Sequence, residues 1–250
     1  MKPKISICAP AIRIHLWKNF AKSLLSNTIP YEIIFVGNVE PTISIKEYNI
    51  QWIYSNVKPA QCTEIALRKA EGELLNLSAD ESIYEPKSLD IIYEYHKSQK
   101  KKKLITGFTT WENNGSSFSL TSGGHRISGK DSPQMACFWV MENNYFKELG
   151  GYDRRFITGQ SENDLCMRNY EAGGDLLICP DARVNLYHNL AHQDNMTDSK
   201  FRKWLPQNRE FLEKCWINPD GTVSHKRLIP FEPFLDENIL TVSQPPVGEW

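Results

Sequence analysis

The stretch AEGELLNLSADESIYEP, residues 70–86, decides the fold. Gly72 closes a helical stripe, ELLNL (73–77) is a short apolar run of strand type, and Pro86 suits the first turn of a further helix. Between strand and helix stands the acidic pair Asp80-Glu81. An apolar strand running straight into carboxylates is expected where a buried parallel sheet opens onto a ligand at its carboxyl rim.

The pattern repeats upstream. KISICAP (4–10) is a β-rich run ended by Pro10, and Leu16, Trp17, Phe20, Leu24 and Leu25 follow at helical spacing until Asn27–Pro30. YEIIFVGN (31–38) reads as a second strand turning at Gly37-Asn38, and IQWIYS (50–55) as a third. Cys62, Ile65, Ala66 and Ala70 mark a second helix, and Leu89, Ile92 and Tyr95 a third. Strands alternating with helices at this pitch predict an α/β fold with a doubly wound, mostly parallel sheet. Pro10–Ile12, Gly37-Asn38 and Ser78–Glu81 would then share one rim.

The second half has a different texture. Residues 111–134 are polar and Gly/Ser-rich, which predicts a long loop or irregular ribbon. MACFWVM (135–141) reads as a buried strand, and YFKELGGYD and SENDLCMRNYEAGG as helices closed by glycines. DLLICPDARVNLYHNLAH (175–192) suggests paired strands ending at His188 and His192, and residues 198–216 a helix broken near Pro206. Residues 218–250 read as an extended tail, packed on the body or on a second copy of the chain, and so a route to a homo-oligomer.

Composition narrows the class. The chain has 250 residues with 40% apolar and 24% charged, ordinary for a globular protein, and a formal charge of −1 provides no global field for nucleic acid. No window is long and apolar enough for a membrane span, and Arg13, His15 and Lys18 interrupt any signal-peptide core. Six cysteines without CxxC spacing read as buried thiols of a reducing, cytoplasmic compartment. Lys97 and Lys100–Lys103 form a basic run, a solvated helix end or a peripheral membrane contact.

Three polar groups carry chemistry. Asp80 and Glu81 at a strand end are the right donors for Mg²⁺ or Mn²⁺ beside phosphate, although such a pair also serves as a helix cap. Glu162 and Asp164 open a helix two residues apart, so they face different directions and can do different work, or both complement the helix dipole. His188 is a further metal or phosphate candidate, or a packing residue.

In order and spacing, these segments resemble the inverting glycosyltransferases of the GT-A fold, the large family that includes the spore-coat polysaccharide enzymes. ISICAPAIR stands where the family has an apolar strand followed by Pro-Thr-Tyr-Asn, and EIIFVGN where it has Glu-Ile-Ile-Val-Val-Asp-Asp. AEGELLNLSADE matches its A-x-G-E strand with acidic motif, and GGYDRRF…SENDLCMR its Gly-Gly-Phe-Asp and Glu-Asp-x-Asp-Leu-x-x-Arg. The resemblance implies a GT-A domain over 1–217, with a nucleotide-binding half (1–107) and an acceptor half (108–217).

It also implies transfer of a sugar, with inversion, from a nucleoside-diphosphate sugar, UDP-linked foremost, to a hydroxyl of a glycan or lipid-linked acceptor. Pro10, Ala11, Ile12, Asn38, Lys58 and Asp80 would hold the nucleotide. Asp80, Glu81 and His188 would ligate Mn²⁺ or Mg²⁺. Glu162 would be the general base, and Trp111, His125 and Asp164 would form the acceptor side, with Gln160 and Arg168 behind. The chain departs from the pattern where Ser78 replaces the first acid of the metal motif and Asn38 the base-reading aspartate. A non-catalytic GT-A-like module that binds a sugar nucleotide or glycan is the alternative. A nucleotidyltransferase is disfavoured, because APAIRIHLW lacks a Gly- and Lys/Arg-rich loop.

Overall fold

The computed structural model describes residues 2–42, 45–113, 118–122, 127, 131–187 and 195–245. Side-chain alternation along β1 (Ile5–Pro10) generates the layers. Ile5, Ile7 and Ala9 join the core shared by α1 (Ile14–Ser23) and α3 (Ser88–Ser98), while Cys8 joins the core of α2 (Pro59–Lys69) on the opposite face. A strand apolar on both sides must lie centrally, and β1 does. It pairs in parallel with β2 (Tyr31–Gly37) and β4 (Leu74–Leu77), and β2 pairs in parallel with β3 (Ile50–Tyr54).

The remaining strands are β5 (Ser82–Tyr84), β6 (Leu104–Asn113), β7 (Phe118–Ser122), β8 (Trp139–Glu142) and β9 (Asp175–Leu186). Among the described residues they extend the same sheet in the order β3-β2-β1-β4-β8-β6-β9-β5, with β7 beside β6. β8 and β5 run antiparallel to their neighbours, whereas β6 and β9 are mutually parallel. The order reverses between β1 and β4, which places the ligand-accepting crevice beyond their carboxyl ends. The doubly wound, mostly parallel expectation holds.

Several second-half expectations change. β6 and β7 pair antiparallel at Thr109–Asn113 with Phe118–Ser122, so the polar segment begins as a ribbon. Residues 175–186 form one strand instead of two, because β9 shifts register against Phe108/Thr109 and continues along β6. β6 and the three-residue β5 have little periodicity and escape a sequence reading. The helix α6 (Asn195–Trp216) runs through Pro206 without ending. A proline removes one rung, but Trp204, Leu212, Cys215 and Trp216 are buried on both sides of it, and that packing keeps the helix continuous. The two other helices are α4 (Asn143–Glu148) and α5 (Ser161–Glu171).

None of the six cysteines forms a disulfide, and five are buried. Lys97 of the basic run is paired with Glu73 and Glu142, and Lys101 with Asp175 at 2.7 Å. Among the described residues, no helix is long and apolar enough to cross a membrane.

The tail returns over this same body. Arg227, 5% exposed, lies 2.8 Å from Asp153 and 3.0 Å from Asp164, both fully buried. Farther on, the Gln61 side chain donates to the carbonyls of Ile239 and Val242 and accepts from the Gln244 N–H. Ser55 Oγ donates to the Leu240 carbonyl at 2.7 Å. Removing one partner of a buried ion pair strands the others in low dielectric, at about 3–5 kcal/mol. Arg227→Ala is therefore expected to lose about that much stability in urea-induced unfolding, whereas loss of an exposed pair such as Lys214–Glu210 costs under about 1 kcal/mol. Equal, small losses for both would show that the tail is not tied down by this charge.

Candidate active site

A cleft of about 380 Å³ opens at the crevice between β1 and β4. Pro10 ends β1, Leu77 ends β4, and Ser78, Ala79 and Glu81 follow it. The first turns of α2 contribute Pro59, Ala60 and Thr63, and the approach to and first turn of α5 contribute Thr158–Glu162. Leu205 and Arg209 of α6 close the far side, four residues apart and so on one face of that helix. Among the described residues the lining has two carboxylates, Glu81 and Glu162, and one cation, Arg209.

Glu162 is the partly exposed residue in an otherwise buried first turn of α5. Its Oε1 accepts the Gln160 N–H at 3.1 Å, reaching back to cap the helix start. Gln160 sits at φ 79°, a left-handed conformation unfavourable for a side-chain-bearing residue, and its Oε1 accepts from Asn163 Nδ2 at 2.8 Å. Strain of this kind persists where the surrounding structure over-determines it, and here it re-aims the chain at the cleft wall.

Asp80 has a different occupation. Its Oδ2 accepts the N–H groups of Ile12 (2.8 Å) and Arg13 (2.7 Å) and the Trp17 indole N–H (3.4 Å), and its Oδ1 accepts Arg13 Nη1 at 2.6 Å. The same Nη1 lies 2.9 Å from Glu81 Oε2. Asp80 thus ties the β1–α1 turn to the end of β4 from within the protein, at 1% exposure. This set does not fit a divalent cation. One carboxylate is saturated by four donors, and a guanidinium already stands between the pair. Among the described residues no cluster of three His, Cys, Asp or Glu could hold a metal ion.

The other expected residues separate into those at the cleft and those withdrawn from it. Pro10, Glu81 and Glu162 come together there, with Gln160 beside them. Ala11 is buried, its N–H bonded to the Val36 carbonyl, and a β-carbon on Gly37 would collide with the Ala11 oxygen. That close approach explains the glycine at the end of β2. Ile12 is committed through its N–H to Asp80, and Asn38 is exposed, donating to Asn56 Oδ1 at 2.9 Å.

Lys58 is fully buried, donates to the Arg154 carbonyl and faces the Phe234 ring. Burial, only partly offset by Asp153, brings its ammonium down to about 7. Asp164 is fully buried in contacts with Arg168, Arg227 and Trp216, so its side chain is withdrawn from the cleft lining. Arg168 is likewise withdrawn, donating to the carbonyls of Leu149 and Gly151. Trp111 is half-buried on β6, away from the cleft lining. His125, His188 and His192 lie outside the described residues.

Sequence reading missed Arg209, Thr158 and Tyr152. The Leu205–Arg209 spacing was the available signal for Arg209, but the expected break at Pro206 placed the two on separate pieces.

No protein-family model and no curated protein matches the sequence. Solved structures match the fold. The crystal structure of S. aureus TarS 1-349 superposes with a TM-score of 0.58 at 12% identity, over 74% of this chain and 60% of that one. GalNAc-T7 with UDP, GalNAc and Mn²⁺ gives 0.58 at 15% identity, over 75% and 44%. TarS 1-349 in complex with UDP-GlcNAc gives 0.57 at 13% identity, over 74% and 58%. This chain therefore spans about half of those chains' lengths, and it shares the mixed α/β architecture of these GT-A glycosyltransferases.

The Asp80–Glu81 pair has one guanidinium for two buried carboxylates. Burial disfavours charge on Glu81, Arg13 opposes that, and the adjacent Asp80 reinforces it, leaving Glu81 raised to about 7. For Asp80 burial acts upward too, but Arg13 and the two backbone N–H groups overcome it and hold the carboxyl below its ordinary range. The folded state then binds the Glu81 proton more tightly than the unfolded chain does. That contribution is fully present below the unfolded value and is lost as pH rises toward about 7. Glu81→Gln should flatten this decline, losing less stability than wild type between about pH 5 and about pH 7, by about 1–3 kcal/mol. Parallel stability–pH curves for the two proteins would refute the tighter proton binding by Glu81 in the folded state.

Proposed function

We propose that the chain is a glycosyltransferase that moves a sugar from a nucleoside-diphosphate sugar to an acceptor hydroxyl with inversion. The observation that carries this reading is Glu162, held at the wall of the cleft that opens beyond β1 and β4. The complexes of the TarS fold neighbour with UDP and with UDP-GlcNAc favour a UDP-linked donor. A glycan or lipid-linked hydroxyl is the acceptor class.

The acceptor oxygen attacks the anomeric carbon and forms the new C–O bond. The bond from that carbon to the β-phosphate oxygen breaks on the opposite face, and the nucleoside diphosphate leaves with the electron pair. Glu162 Oε takes the hydroxyl proton as the acceptor bonds, so no charged alkoxide forms. Pro10, Leu77 and Phe138 give the cleft apolar walls that exclude water around the reacting carbon. Ser78 stands where the resembled family has its first acid, and Tyr84 donates to its Oγ at 2.9 Å. It presents a neutral hydroxyl to the donor.

The second reading, a non-catalytic sugar-nucleotide or glycan-binding module, draws support from the internal commitment of Asp80 and Lys58. The wild-type protein and one substitution together separate the readings. Glu162→Gln should lower transfer to a hydroxyl by about 100-fold or more while leaving donor affinity within about twofold, measured by product mass spectrometry and calorimetry. Wild-type protein that binds a donor but neither transfers nor hydrolyses it would favour the module, and full turnover by the variant would remove Glu162 as base.

A further inference from the structure

We infer that the diphosphate of the donor is held in this cleft without a divalent cation, its charge met by the guanidinium of Arg209. The inference rests on the transferase reading above and specifies how that site handles the leaving group. Where a metal would sit between carboxylates and phosphate, the structure has Arg13, already bonded to both Asp80 and Glu81. Its single positive charge is shared between the two acids, and Glu81 is the acid of that pair that lines the cleft.

A departing nucleoside diphosphate carries several negative charges and needs a cation aimed at it. Lys58 is excluded because its ammonium is buried against the Arg154 carbonyl and the Phe234 ring. Arg209 meets the requirement. It projects from α6 into the cleft lining, its side chain is exposed, and among the described residues no carboxylate pairs with it. Neighbouring residues on α6 do use their charges on each other, since Glu210 takes Lys214 at 2.6 Å. A planar guanidinium offers two parallel N–H donors to a phosphate, which suits recognition of a diphosphate without a bridging ion.

The test is calorimetric titration of the intact chain with UDP, GDP, dTDP and inorganic pyrophosphate, first in EDTA and then with Mn²⁺. At least one nucleoside diphosphate is expected to bind in EDTA, with an affinity that Mn²⁺ changes by less than about twofold. Arg209→Ala should weaken it by about 10-fold or more, and Arg209→Lys by less, because charge is kept while the fork is lost. Arg209 is exposed, so the variants should unfold at the wild-type midpoint. Binding that appears only with Mn²⁺, or an Arg209→Ala protein that binds like wild type, overturns this inference and leaves the transferase reading standing. Failure of every probe under both conditions overturns the two together.

Discussion

The arrangement depends on one buried carboxylate. Asp80 gathers two backbone N–H groups, an indole and a guanidinium from the segment that leads from β1 into α1. The residue at the start of α1, Arg13, offers no side-chain cap of its own to the helix. Its backbone is satisfied instead by a residue 67 positions away. Charge-assisted bonds of this kind are about twice as strong as neutral ones, and each loss would leave a buried donor unpaired. The clamp therefore sets where β1 and β4 end relative to each other, and so fixes the crevice at the switch point. It also leaves Glu81, and not Asp80, as the acid that reaches the cleft lining.

A second ionic lattice holds the other wall. Asp153 is bonded by Arg155 and Arg227, and Asp164 by Arg168, Arg227 and the Trp216 indole. Arg227 belongs to the tail, Trp216 to the end of α6, and Asp164 to α5, so one cluster sets the mutual position of three elements that are far apart in the chain. Phe231 covers it, lying 4.3 Å from the Arg168 guanidinium and 5.8 Å from that of Arg227. The tail thus completes the body with which it shares these charges.

Legibility in the sequence follows from how local each signal is. β1, β2 and β4 carry continuous apolar runs with turn residues behind them, and α1 and α2 carry their periodic stripes, so the switch-point architecture can be read from residues 4–90. β6 and β9 cannot be read so well. LITGFTTWEN mixes threonine and glycine with apolar residues, and its place in the sheet is decided by pairing with residues some 70 positions later. At the site, the rim positions were legible but the assignments within it were not. The spacing of Asp80 and Glu81 says that both lie at a strand end. It does not say that Arg13, in a turn 67 residues earlier, takes the first of them. Lys58 illustrates the same limit, because the Phe234 ring that covers it comes from the tail.

The two acids of α5 show why these lattices matter to chemistry. Glu162 and Asp164 are about 200° apart around the helix, so one faces the cleft when the other faces the interior. Asp164 is gripped from two directions by arginines and by an indole, which leaves α5 little freedom to rotate or slide. Glu162 is then presented by a helix whose orientation is set on its opposite side, and Gln160, held in its left-handed conformation, fixes the start of the turn. A base must stay within a fraction of an ångström of its productive position to be effective, and positional error in its support is multiplied at the end of a flexible glutamate. On the proposed reading, the buried Asp164 that anchors α5 is what would hold the partly exposed Glu162 in place to act as the base.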